Sequence, residues 1–179
     1  MILGIDKIHK LVREKSLVSY LSERELQNPE GAGMDLRLGE LYKVSGEGFL
    51  GIDERRTANV KRIASFNTSK KQKVVLRPGV YYTMTTVEEV KTPPNVVILF
   101  YSRSTLYRSG IALFTGNCAP GYKGKLTFGI ANLGKNPFQI ELGARIAHAF
   151  FFEVKGKTNL YRGQWQGGRV ATKKKEKQV

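Results

Sequence analysis

The sequence predicts a mainly-β fold of the sandwich, jelly-roll or barrel type. After Lys73, short runs of β-branched and aromatic residues are separated by Gly, Pro and Asn turns, which is the spacing of strands in such folds. The chain has 179 residues, of which 41% are hydrophobic, so it is the size of one domain and can bury a core. No internal repeat is visible, and a single domain built on sheets is the expected architecture.

The first predicted element is a helix near the N-terminus. Ile5, Ile8, Leu11 and Val12 fall on one helical face, with Lys and Glu opposite them. This spacing predicts a short amphipathic helix over residues 5–15.

Strands are predicted along most of the remaining chain. Residues 17–21 form a short apolar element, and residues 34–44 alternate apolar and polar side chains as a half-buried strand does. Residues 46–62 are polar and contain Gly, which predicts a loop with one strand at most. The later runs predicted as strands span residues 73–79, 80–90, 95–103, 110–116, 125–134, 138–143 and 145–154.

The C-terminal part differs from the rest in composition. Beyond Lys155 apolar residues become rare and Gly and Lys increase, so we expect a β domain at 1–154 and a flexible arm or lid with a basic tail at 155–179. The last residues, KKKEKQV, are predicted to be solvated.

The net charge of +15, with a pI near 10, predicts an anionic partner. Nucleotide phosphates, a nucleic acid bound through the basic surface, or an acidic protein surface would each fit. The single cysteine, Cys118, excludes an internal disulfide, and the two histidines, His9 and His148, do not suggest a zinc site. No apolar run approaches the roughly 20 residues that span a bilayer, and no signal peptide is recognisable, so a cytoplasmic protein is expected.

Polyphosphate binding is indicated by the stretch YSRSTLYRSG at the end of a predicted strand. Arg103, Ser104, Thr105 and Arg108 combine guanidinium groups and hydroxyls, the groups that hold phosphates. The alternative is a helix cap at Ser104 or Thr105 with arginines that face solvent.

The stretch TGNCAPGYKGKLTFGIANLG, residues 115–134, is predicted to be a β-hairpin that cups a flat ligand. Its small residues would let backbone groups contact a heterocycle, and Tyr122 would stack on a sugar. The alternative is an ordinary turn in which Gly residues adopt positive φ and Tyr122 fills the core.

Two further stretches contain candidate residues. Asp35 follows a Gly-rich bend, where an Asp commonly caps a turn, and the alternative places its carboxylate near a divalent metal. His148 on an apolar strand is expected to be a core or interface residue. The Gly-rich segment YRGQWQGGRV, residues 161–170, is predicted to close over a ligand as a lid.

Taken together and in order, these stretches resemble the dUTPase/dCTP deaminase family. AGMDLRLG, SRSTLYRSG, APGYKG, LGARIAHAFF and YRGQWQGG are similar to five successive motifs of that family and cover most of the chain. The N-terminal segment and the spacing from Arg103 to Tyr122 are most similar to archaeal members with deaminase-like architecture, which include dUTPases and deaminases.

The resemblance implies a distorted jelly roll, a homotrimer with sites between subunits, and a deoxyuridine or deoxycytidine triphosphate as ligand. Mg²⁺ would accompany the phosphates, with Asp35 near it through water. The residues that the resemblance assigns to the substrate are Arg103, Ser104, Thr105, Arg108, Gly116, Asn117, Cys118, Tyr122, Tyr161 and Gln166.

Two positions depart from the family pattern. Ala119 stands where dUTPases have the aspartate that activates water, and Gly129 stands where deaminases have a proton-shuttling glutamate. Loss of an acid–base group removes an effect of about 10²–10⁴-fold. Another acid could replace the missing one, with Asp35, Glu141 and Glu153 as candidates.

Three functional interpretations follow. The first is a dUTPase-like hydrolase that converts dUTP to dUMP and pyrophosphate, with reduced activity because of Ala119. The second is a catalytically silent trimer that binds a nucleotide or nucleic acid. The third is a dCTP deaminase with relocated chemistry, which the missing glutamate disfavours.

Overall fold

The computed structural model describes residues 1–178 and confirms the predicted mainly-β fold with a short N-terminal helix. The helices in this range are α1 (Ile5–Lys15), α2 (Glu23–Gln27) and α3 (Ser104–Arg108). The strands are β1 (Val18–Ser19), β2 (Met34–Ser45), β3 (Phe49–Leu50), β4 (Glu54–Arg56), β5 (Asn59–Ser65), β6 (Lys73–Leu76), β7 (Tyr81–Lys91), β8 (Val96–Ser102), β9 (Ile111–Phe114), β10 (Asn117–Cys118), β11 (Lys123–Asn132), β12 (Phe138–Glu141), β13 (Arg145–Glu153) and β14 (Glu176–Lys177).

Most strands belong to one curled antiparallel sheet of nine strands. Its order is β10–β8–β13–β2–β7–β11–β9, with β1 beside β7 and β5 beside β2. Strand β2 connects the two halves, because its first residues pair with β13 and its later residues pair with β7 and β5. Inside the curl, Phe100 of β8 and Phe128 of β11 pack with ring centroids 5.0 Å apart. This contact joins strands from the two halves of the sheet across the core.

Residues 115–122 connect the two ends of this sheet. Strands β9 and β11 form a hairpin in which Phe114 lies opposite Gly129, whereas β10, within their connection, pairs with β8 at the other end. The predicted hairpin over residues 115–134 is therefore one strand, β11, preceded by a long connection. We call residues 115–122 the cradle loop. By joining both ends of the sheet, it holds the curl closed.

The predicted N-terminal helix is confirmed with the expected bounds. Ile8 is fully buried on α1, and the residues before the helix extend the sheet, since the Leu3 amide donates to the Phe151 carbonyl at 2.8 Å. Within residues 1–178, no helix has the length and hydropathy needed to cross a membrane.

The region 46–62 differs from the prediction of a loop with one strand at most. It contains β3, β4 and the first part of β5, and β4 also pairs with β14 from the C-terminal tail. The tail is thus not simply solvated: Lys175 forms an ion pair with Glu54, and Glu176 pairs with Arg55 in the strand register. Strand β3 pairs locally with β4, whereas the partner of β14 lies more than 100 residues away, which no local pattern reveals.

Candidate functional site

A cavity of about 530 Å³ lies beside the cradle loop, within the size range of small-molecule sites. We call it the cradle cavity. It is lined by Val44, Thr57, Ala58, Val60, Tyr81, Thr83, Phe100, Gly116, Asn117, Cys118, Ala119, Tyr122, Leu126, Thr127, Phe128, Gly129, Tyr161, Trp165, Arg169 and Val170. The cradle loop thus supplies one wall, and β7, β11 and the C-terminal arm supply others.

The walls of the cradle cavity contain no carboxylate and no imidazole among the residues that the structure describes. Burial raises the pKa of the Cys118 thiol to about 11, although a contact of 3.1 Å with the Thr92 hydroxyl acts against it. Burial also raises the pKa of Tyr122 to about 12. Both groups are neutral at physiological pH, so neither is an activated nucleophile or base there.

Tyr122 is a fixed wall of the cavity and has no free hydroxyl. Its hydroxyl donates to the Lys125 carbonyl at 2.6 Å, and its ring meets Tyr161 edge to face with centroids 5.4 Å apart. A ring held in this way can pack against a sugar without changing its rotamer.

The arm is docked on the cradle loop of its own chain. The Tyr161 amide donates to the Pro120 carbonyl at 2.7 Å. The Gln166 side chain accepts from the Lys123 amide at 2.7 Å and donates to the Gly121 carbonyl at 3.0 Å. The backbones approach closely at Gly124, where φ is +134° and an added Cβ would lie 2.4 Å from the Gly168 nitrogen. Only glycine fits this crossing.

The tail and strands β3 and β4 cover the arm; we call β3, β4 and β14 the clasp. Arg55 of β4 stacks over the Trp165 ring at 4.6 Å, and Arg169 lies 5.8 Å from the same ring. Arg169 in turn forms an ion pair with Glu176 of β14. The clasp therefore fixes Trp165 and Arg169, which line the cavity. Arg169 is its only charged lining residue within 1–178.

Asp35 lies outside this cavity, on β2, in a cluster of basic side chains from neighbouring elements. Its carboxylate is 1% exposed and accepts hydrogen bonds from Arg145 at 2.8 Å, Arg103 at 3.1 Å and His148 at 2.8 Å. Arg24 approaches it to 3.7 Å. We call Asp35, Arg24, Arg103, Arg145 and His148 the Asp35 cluster.

The protonation of Asp35 follows from these contacts. Burial alone would raise its pKa, but the hydrogen bond from His148 and the charges of Arg103 and Arg145 outweigh burial, so the pKa is below its ordinary value. Asp35 is therefore ionised at neutral pH and orients the arginines around it. His148, predicted to be a core or interface residue, lies in this cluster with 17% of its side chain exposed.

The predicted phosphate-binding residues lie at the end of β8 and on α3. Ser104, Thr105 and Arg108 are exposed, and within residues 1–178 Arg108 forms no ion pair. Arg103 is drawn toward Asp35. None of these four residues lines the cradle cavity. The structure thus brings the predicted base- and sugar-binding residues together but leaves the predicted phosphate residues outside their cavity.

The alternative acids are also outside the cavity. Glu141 of β12 lies 3.7 Å from Lys73 on a separate two-stranded sheet, and Glu153 ends β13. Conversely, four residues that line the cavity are not among the substrate residues predicted from the sequence: Tyr81, Thr83, Trp165 and Arg169. The predicted lid motif at 161–170 indicated that Trp165 and Arg169 contact a ligand. The alternating pattern of β7, however, does not distinguish Tyr81 from a core residue.

Comparison with known proteins identifies the relatives of this chain. Residues 2–154 match the family described as dCTP deaminase-like. The chain is 31% identical over 153 residues to a deoxyuridine 5'-triphosphate nucleotidohydrolase of Methanocaldococcus jannaschii, covering 86% of this chain and 94% of that protein. It is 30% identical over 168 residues to a dCTP deaminase of Pyrococcus furiosus, covering 93% of this chain and 95% of that protein.

A solved structure supports the same relationship at the level of the fold. The 2'-deoxycytidine 5'-triphosphate deaminase from Agrobacterium tumefaciens superposes with a TM-score of 0.65 at 19% sequence identity. The match covers 84% of this chain and 46% of that protein, so this chain spans about half of its length.

Proposed function

The chain belongs to the dUTPase/dCTP deaminase family, and on that premise we propose that it is a dUTPase-like hydrolase, which binds dUTP and converts it slowly to dUMP and pyrophosphate. The observation that carries the proposal is the cradle cavity. It has the size of a nucleoside site and an aromatic platform in Tyr122, and its described walls lack the carboxylate that deamination needs.

The triphosphate requires residues that the cavity of one chain does not contain. Ser104, Thr105 and Arg108 are exposed on α3, where hydroxyls and an unpaired guanidinium would bind phosphate oxygens. We therefore expect a homotrimer in which the α3 of one subunit meets the cradle cavity of another. Two inactive variants, Arg108→Ala and Tyr122→Ala, would then regain binding sites when mixed and reassembled. At some interfaces the intact α3 of one variant would meet the intact cradle cavity of the other.

A resident Mg²⁺ does not fit the Asp35 cluster. Both oxygens of Asp35 already accept hydrogen bonds from cationic side chains, and the described residues contain no group of three or more potential metal ligands. Mg²⁺ would instead arrive with the triphosphate as part of the substrate. The indirect role of Asp35 would be to hold Arg103 and Arg145 in position.

The slow rate follows from Ala119. A methyl group cannot accept a proton from the attacking water, which forfeits roughly 10²–10⁴-fold of rate, whereas positioning of the phosphates still contributes. Cys118 and Tyr122 are neutral and cannot take over this role.

The test is to incubate the purified protein with Mg²⁺ and dUTP, dCTP or UTP, and to follow pyrophosphate and ammonia. We expect slow pyrophosphate release from dUTP, none from UTP, and no ammonia from dCTP. Ammonia from dCTP would contradict the proposal, as would the absence of a thermal shift with every deoxynucleotide.

A second function, binding without hydrolysis, is favoured by the same lack of acids in the cavity. It would be indicated by a dUTP-dependent rise in the melting temperature without any pyrophosphate. The hypothesis of nucleic-acid binding rests on net charge alone, and the dUTPase and deaminase relatives give it no support.

A further inference from the structure

Tyr81 lies directly over Gly129, the position where the deaminases of this family have their glutamate. A Cβ added at Gly129 would lie 2.3 Å from the Tyr81 hydroxyl oxygen and 2.8 Å from two of its ring carbons. Such distances do not occur between a Cβ and another heavy atom, so the phenol fills the space that a longer side chain at residue 129 would need. A hydroxyl group from a different strand thus occupies the space over Gly129.

The register of the sheet explains this placement. Gly129 lies opposite Thr83 in β7, and Tyr81 is opposite Ala131, so Tyr81 is the diagonal neighbour of Gly129 on the same face. Its ring leans across β11 and packs against Phe114 of β9 with centroids 5.9 Å apart. Gly129 also lies opposite Phe114. Because Gly129 has no side chain, the Tyr81 ring can cross β11 at this position.

The hydroxyl of Tyr81 is available to a ligand. Tyr81 lines the cradle cavity with 47% of its surface exposed, and within residues 1–178 its hydroxyl makes no hydrogen bond. The Tyr122 hydroxyl, by contrast, already donates a hydrogen bond to the Lys125 carbonyl. Of these two tyrosines in the cavity, Tyr81 is the one that can still donate to a bound base.

We propose that Tyr81 is a specificity-determining residue that selects uracil over cytosine by donating a hydrogen bond to the 4-keto oxygen. The inference rests on the proposed function and adds the residue that reads the base. Deamination replaces the 4-amino group, so a proton-shuttling group at position 129 would lie beside that substituent. A carboxylate there can only accept, and it accepts from the amino group of cytosine. A phenol at the same place can also donate to the keto oxygen of uracil, and because a phenol is a stronger donor than acceptor, the exchange favours uracil.

The test compares binding of the α,β-imido analogues of dUTP and dCTP by calorimetry. Tyr81→Phe keeps the ring over Gly129 and removes only the hydroxyl. We expect its affinity for the uracil analogue to fall about tenfold, the effect of one unmade hydrogen bond, and its affinity for the cytosine analogue to stay within about twofold. Tyr20→Phe, an exposed tyrosine outside the cavity, is the matched control and should change neither affinity.

Gly129→Ala tests the geometry independently. Its new methyl group must displace the Tyr81 phenol, so this variant should lose the uracil preference, and adding Tyr81→Phe to it should cost nothing further. Additive losses, or an unchanged ratio of the two affinities in Tyr81→Phe, would overturn the inference while leaving dUTP binding intact. A wild-type protein that binds neither analogue would overturn the proposed function as well.

Discussion

The Asp35 cluster and the cradle cavity lie on the same sheet but differ in how they contain charged groups. Asp35 is buried among three arginines and a histidine, each within 4 Å of its carboxylate. The cradle cavity has the uncharged residues Ala119 and Gly129 in its lining, and Tyr81 fills the space over Gly129. The comparison teaches that a buried acid in a motif can serve to hold arginines in position. Where the cavity wall has no acid, neutral side chains pack closely instead.

The largest expected effect is that of Asp35→Ala on stability. It would leave Arg24, Arg103, Arg145 and His148 around a cavity without their common anion. Breaking a buried ion pair costs about 3–5 kcal/mol, and the partial exposure of the arginines places this case at about 3 kcal/mol. Urea denaturation measures the loss.

Glu14→Ala is the control for that measurement, because Glu14 is exposed and its ion pair with Lys10 is long, at 4.0 Å. We expect it to change the free energy of unfolding by less than about 0.5 kcal/mol. Equal losses in the two variants would mean that the Asp35 cluster is no more than a surface feature.

The fold was predictable where local periodicity decides the structure. The spacing of Ile5, Ile8, Leu11 and Val12 fixes a helix whose observed bounds, Ile5–Lys15, agree with the prediction. The clasp was missed because β3, β4 and β14 contain only two or three residues each, and because β14 pairs with a strand more than 100 residues away.

The candidate site was predictable only in part, for a related reason. Motif order indicated the cradle loop and the arm, and both line the cavity. The contact between Tyr81 and Gly129 depends on strand register and on a diagonal approach across β11. Likewise, the partners of Asp35 come from β13, α2 and the end of β8, so the local sequence around Asp35 could not distinguish a turn cap from an anchor for arginines.

Ala119→Asp would give the cavity a carboxylate, which its described lining lacks. We expect pyrophosphate release from dUTP to rise about a hundredfold, because the new carboxylate can accept a proton from water at the position that the family resemblance assigns to the aspartate of dUTPases. Ala119→Asn, with nearly the same shape and no basic group, is the control. If both variants hydrolyse dUTP at the wild-type rate, Ala119 is not the missing element.

The pH dependence of the free energy of unfolding would also distinguish the Asp35 cluster from the cradle cavity. Because the folded pKa of Asp35 is below its unfolded value, its contribution is fully present above about pH 5 and is lost as the pH falls through the folded pKa. The stability difference between wild type and Asp35→Asn should therefore be constant from neutral pH to about pH 5 and then shrink by up to about 1.4 kcal/mol per pH unit. Denaturation curves between pH 2 and pH 7 test this, and a difference that grows in acid would contradict the assigned direction.

The smallest expected effect comes from the clasp, which adds a cation to the cavity from outside the main sheet. Removing residues 173–179 deletes β14 and with it Glu176, so Arg169 loses its ion pair and β4, whose Arg55 stacks on Trp165, loses its pairing with β14. We expect dUTP affinity to fall about fivefold, since a mobile Arg169 must be ordered on binding, while the main sheet unfolds at nearly the same urea concentration. The full-length variant with Lys173→Ala and Lys174→Ala removes charge but keeps the strand, and should bind dUTP as wild type does. If the lysine variant weakens binding as much as the truncation, the tail acts through its charge, and the clasp does not position Arg169.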